Sequence, residues 1–170
     1  ETLREMEAEG IIRDVPIDIQ GTAPGSDFPP EFEVAPEFYF QYREQSKLLE
    51  DIAIYNSFTS TLRVGERVER IRMSAPSLSL FSTLGARPAL GRLPQPADDS
   101  HTVVISNTLW HSWFGADPSV IGKVFDVSGE KREVIGVMGP EFRFPNDGTL
   151  LWISNDVRAE GVTPGDFGDP

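Results

Sequence analysis

Glycine and proline cut this chain into short segments, and that punctuation limits its fold more than any other feature. From Gly21 to Pro36 the run GTAPGSDFPPEFEVAP holds four prolines and two glycines, which forbid regular helix and suit an extended segment. After Pro36 neither residue recurs until Gly65. Pro36 fits a first helical position, and Phe38, Tyr42 and Gln45 or Ser46 follow at helical spacing, which predicts a helix over 36–47. A turn at Leu48-Leu49-Glu50-Asp51 then leads into 52–64, whose β-branched and aromatic residues predict a strand of open register. Gly65-Glu66 is a turn signal, and Val68, Ile71 and Met73 alternate with charges beyond it, so the two strands are expected to form a hairpin.

Pro76 is expected to open a short helix that buries Leu78, Phe81 and Leu84 on one face, with Gly85 as a left-handed cap. A strand over Thr102–Ile105 precedes a helix over Asn107–Phe114, capped by Ser106 or Asn107 and stopped by Gly115. Segments 123–127 and 132–137 flank Ser128-Gly129-Glu130-Lys131 as a second hairpin. Leu150–Ser154 is the last expected strand, and 158–170, rich in glycine and proline, is expected to be a loop or disordered tail.

Composition narrows the class of function. The 170 residues carry a net charge of -12 with no cysteine, so nucleic acid is an unfavourable partner and disulfides, thiol chemistry and cysteine metal sites are excluded. The acid is concentrated at the ends: residues 1–60 have four basic and thirteen acidic side chains, whereas 61–145 have ten and nine. Met73–Ala86 is the longest notably apolar stretch without charge, but its serines, proline and glycine do not make a bilayer span. The start lacks a secretory pattern, and the chain reads as part of something larger.

No catalytic, cofactor or metal site is expected. His101 and His111 lack ligand spacing, which favours surface or helix-packing roles over a metal site. Ser128-Gly129-Glu130-Lys131 matches S-x-x-K, whose chemistry needs a helical turn between serine and lysine; a hairpin turn with Gly129 at positive φ is the better account. Trp110, Trp113 and Phe114 on one helix, and Phe38, Tyr39, Phe40 and Tyr42 on another, either span two core layers or leave a ring exposed for a partner.

Four ordered blocks carry a resemblance. FYFQYREQSKLLEDIAIY, LFSTLGARPALGR, TVVISNTLWHSWFGADPSVIGK and EVIGVMGPEFRFP, followed by Leu151-Trp152-Ile153, make the chain similar to the MacB-like periplasmic core domain of ABC transporter permeases. The matching scaffold positions are Leu84, Gly85, Pro88, Gly91, Arg92, Trp110, Phe114, Gly115, Gly122, Gly136, Phe142, Pro145 and Trp152. Gly139 is an extra residue between Met138 and Pro140, and the family's segment beyond its Leu-Trp strand is missing.

The resemblance implies an α+β fold of two lobes, truncated at its C-terminus. A porter-like lobe of helix on sheet begins at 36–92, after an extended 1–35, and a β-rich lobe is inserted over 93–157. It also implies a non-catalytic module at the periplasmic or extracellular face of a bacterial membrane. Its partners would be the transmembrane helices and ATPase of the same transporter, a paired permease, and a periplasmic adaptor or cargo. A ligand-binding or sensory domain is the alternative, and an enzyme the third class.

Overall fold

The computed structural model describes residue 43 and residues 52–154. Contacts divide the chain into two compact units, Glu1–Ala35 and Pro36–Pro170, and the described residues belong to the second. Of the helix expected over 36–47, Arg43 is helical; the rest of it, the extended N-terminal segment and the tail expected over 158–170 lie outside the described residues.

Seven strands and two short helices follow: β1 Ser57–Val64, β2 Arg67–Ser74, α1 Ser79–Thr83, β3 Pro88–Gly91, β4 Thr102–Ile105, α2 Asn107–Phe114, β5 Val124–Val127, β6 Glu130–Met138 and β7 Thr149–Ile153. A 3-10 turn at Pro118–Val120 lies between α2 and β5. The architecture is α+β. The sheet order is β3-β6-β4-β7-β2-β1-β5, and β5 also pairs with β6. Because β5 bonds to β1 on one side and to β6 on the other, six strands close into a ring. β3 adds to the far end of the β6 edge that β5 occupies at its start. Strands from both sides of the expected division at Arg92 therefore share one sheet.

Side-chain alternation sorts the core into two layers. Val103 and Ile105 of β4, Leu151 and Ile153 of β7, and Leu62 and Met73 of the hairpin fill the interior, which Leu109 of α2 joins. Val104, Ile135, Met138 and Trp152 face outward and are covered by Phe81 of α1 and by Phe142. The inward set on β6 is Val134 and Val137, three residues apart. An extra residue makes this possible: Val134 pairs with Val103 but Gly136 pairs with Val104, a bulge that returns Val137 to the interior.

β1 starts at Ser57, not Ile52, because the preceding backbone is held by serines instead of a strand: Ile54 donates to Ser77 Oγ at 3.1 Å, and Ser77 N–H to the Ile54 carbonyl at 2.8 Å. The same bonds delay α1 to Ser79 and bury Ser77. Leu80 and Phe81 are the buried residues of α1, while Leu78 and Leu84 are half-buried. β3, which the sequence reading treated as a connection, is a strand. The second hairpin turn has two residues, not four: Ser128 and Gly129 both have positive φ, as a type I′ turn requires, and Glu130 and Lys131 join β6. Ser128 tolerates φ +59 where its N–H donates to Thr61 and its hydroxyl to Ser60, each at 2.8 Å.

Candidate functional site

Pro88, Gly91 and Arg92 meet Gly136 where β3 crosses β6. Gly91 pairs with Gly136, and neither position has room for a side chain: a Cβ on Gly91 would overlap the Ile135 carbonyl, and one on Gly136 the Arg92 carbonyl. Gly91 also has φ +69. Arg92 N–H donates to the Ile135 carbonyl at 3.0 Å, while its guanidinium grips Asp98 at 2.6 and 2.8 Å. Asp98 also accepts from the Gln95 N–H at 2.8 Å. The Arg92 hydrogen bonds hold the Asp98 carboxyl below the ordinary aspartate range, against the opposing effect of burial, and raise Arg92 in return. The Pro-x-x-Gly-Arg spacing thus starts a strand, permits its close approach and clamps the loop after it.

The outer apolar layer gathers the next group. Phe142 lies between Phe81 and Trp152, with ring centroids 6.1 and 5.2 Å away. Trp152 is fully buried, and its Nε1–H donates to the Phe144 carbonyl at 3.0 Å, immediately before Pro145. Tyr55 packs edge-on against Phe144 at 4.7 Å. Leu84 and Gly85 close α1 in a Schellman arrangement, in which Gly85 N–H donates to Ser82 and Ala86 N–H to Phe81. Gly139 causes no break: its N–H donates to the Arg87 carbonyl at 3.3 Å.

Around α2, Ser106 is the cap, accepting from Leu109 N–H at 3.0 Å, and Gly115 ends the helix at φ +59. Trp110 donates its Nε1–H to the Asp117 carbonyl at 2.9 Å. Phe114 stacks on Phe125 at 5.1 Å, and Gly122 donates to the Val134 carbonyl at 2.8 Å. Trp110, Trp113 and Phe114 are all half-buried against the interior layer. The scaffold positions therefore fall into three separate structural groups.

The polar groups are dispersed. His101 lies 3.2 Å from Asp99 and is exposed; His111 is also exposed and meets Trp110 edge-on. Ser128 sits in its turn, and Lys131 is directed to Asp126 at 3.9 Å. Among the described residues, no three histidine or carboxylate side chains group as metal ligands. Arg132, which the sequence reading did not single out, is buried: its Nη2 donates to Glu130 at 2.6 Å, and Nε and Nη1 have no partner among the described residues. A depression of about 140 Å³ lies at the start of α2, lined mainly by polar residues including Ser106, Thr108, Arg143 and Asp147.

Sequence reading also missed a cationic face. Pairing places Val68, Arg70 and Arg72 of β2 beside Thr59, Thr61 and Arg63 of β1, on the side opposite the buried Leu62, Ile71 and Met73. The alternation in RVERIRMS was visible, but which set would face the ring interior was not.

The sequence matches the MacB-like periplasmic core domain over residues 4–163. The chain belongs to this family. Similar solved structures carry the fold. One is the periplasmic region of MacB from Actinobacillus actinomycetemcomitans, with a TM-score of 0.62 and 19% identity over 79% of this chain and 62% of that one. Another is the extracellular domain of the noncanonic ABC-type transporter YknZ from Gram-positive bacteria, with a TM-score of 0.58 and 18% identity over 69% and 61% of the two chains. This chain thus spans less than two thirds of each relative. Among curated proteins none matches it significantly. No helix among the described residues is long and apolar enough to cross a membrane.

Proposed function

We propose that this chain is a non-catalytic module of an ABC transporter permease that transmits ATPase-driven motion and contacts cargo or a periplasmic partner. Family membership over most of the chain carries this reading. The partners that follow are the membrane helices and ATPase of the same transporter, in a paired permease, with efflux as the transport reaction. Physical support comes from the closed six-strand ring, its interior packing and the clamp at Arg92, which suit a body that moves as a unit. The alternative, a ligand-binding or sensory domain, calls for a concave apolar pocket of about 300 Å³ or more. The depression at α2 is smaller and more polar, so it does not favour that alternative.

This chain contributes no cysteine of its own to compete for a label. In the intact parent transporter, Thr108→Cys on the exposed side of α2 would accept a spin label, and distances between labels would be measured in membranes with and without ATP. A change that requires hydrolysis is expected. Distances indifferent to nucleotide, in a transporter that still transports, would sink the transmission reading. Hydrolysis of ATP, ester or peptide substrates by the purified chain above buffer would sink the non-catalytic one.

A further inference from the structure

Among the described residues the arginine face of the first hairpin makes no ion pair. Arg63, Arg70 and Arg72 are all exposed. Arg70 reaches only the Thr59 carbonyl at 3.5 Å, and Arg72 donates to Asn146 Oδ1 at 3.1 Å. Among the described residues no carboxylate pairs with any of the three. Asp126, which sits beside Arg63 across the β1–β5 seam, is occupied by the Gly129 N–H and Lys131. Glu69 pairs with Arg67 on the opposite side of the hairpin. Three guanidinium groups without a carboxylate partner among the described residues therefore share one face of the hairpin, in a chain whose net charge is -12. Val68, 42% exposed, lies among them.

Their spacing selects a ligand. Residues two apart on a strand are separated by about 6.7 Å, so Arg70 and Arg72 stand that far apart. Arg63, opposite Val68, is the diagonal neighbour of Arg70 at about 7–8 Å. An extended polypeptide with acid at alternate positions presents carboxylates at the same repeat. Each could take two parallel N–H bonds from a guanidinium, with threonine hydroxyls and the Val68 side chain between them. A lipid surface lacks that repeat and would be expected to favour more apolar side chains for insertion than the single Val68.

We infer that the outer face of β1 and β2 docks an extended acidic segment of a partner protein, with carboxylates at alternate residues. This deepens the proposed partner contact and rests on it only for its setting, because docking can be measured on the whole purified chain whatever its parent transports. The probes are a fluorescent peptide alternating Glu and Thr, its block isomer of equal composition, and vesicles of phosphatidylglycerol with phosphatidylcholine. Anisotropy should show the alternating peptide binding more tightly than the block isomer, and more weakly as salt rises. Arg63→Gln, Arg70→Gln and Arg72→Gln together should weaken it at least about tenfold. Arg87→Gln, Lys123→Gln and Arg143→Gln, which remove equal charge from other exposed positions, should leave it unchanged. Circular dichroism is the control for folding of both variants. Equal binding of the two peptides, equal losses in the two variants, or binding to vesicles but not to peptide would each overturn the inference.

Discussion

Gly136→Ala tests the β3–β6 crossing by the sign of its effect. Gly136 has no positive φ, so alanine would ordinarily stabilise by about 0.4–1 kcal/mol through the unfolded chain. Here its Cβ would overlap the Arg92 carbonyl, a backbone atom that cannot rotate away. Relief requires the end of β3 to lift from β6, giving up the bond from Arg92 N–H to Ile135 and the pairing of Gly91 with Gly136. Two such bonds are worth about 0.5–1.5 kcal/mol each. Setting that loss against the chain-entropy gain leaves a net destabilisation between about 0 and 2.6 kcal/mol, centred at about 1.3 kcal/mol, which at that centre is roughly 3–5 °C in melting temperature for a chain of this size. Urea denaturation with an unchanged slope is the assay. Gly65→Ala calibrates it: no atom lies within 4 Å of that Cβ, so only the cost of φ +60 remains, about 1–2 kcal/mol. A Gly136→Ala protein more stable than the parent would refute the crossing geometry.

Phe81→Ala should destabilise by about 3–5 kcal/mol, because the ring is 3% exposed beneath Phe142 and beside Trp152; an unshifted urea midpoint would contradict that burial. Asp98 contributes stability that is present above the ordinary aspartate pKa, about 3.9, and is lost as pH falls toward its depressed folded value. Asp98→Asn should therefore be less stable than the parent at neutral pH, with the gap closing in acid. Parallel midpoints across that range would show that the Arg92 clamp does not stabilise the fold.

Local chemistry made much of this protein legible. Gly65-Glu66 and Ser128-Gly129 specify tight turns, Ser106 and Gly115 bound a helix, and the β-branched run along 102–105 marks a buried strand, because each depends on a few neighbouring residues. The scaffold positions were legible through their order in the chain, though not their grouping. Gly91 and Gly136 are 45 residues apart in sequence, and only pairing reveals that each is small because of the other's strand. Likewise nothing local in the sequence marks Ser77 as buried; its bonds to Ile54, 23 residues away, place it inside.

The sequence by itself determined the strand and turn repertoire, the lack of thiol chemistry and the family, since these reside in composition, short-range spacing and motif order. Tertiary structure decided the closure of the ring, the bulge that returns Val137 to the core, and the face on which Arg63, Arg70 and Arg72 converge. A strand's period of two offers two equivalent faces, and only contacts with distant strands determine which is buried and which remains free to meet a partner.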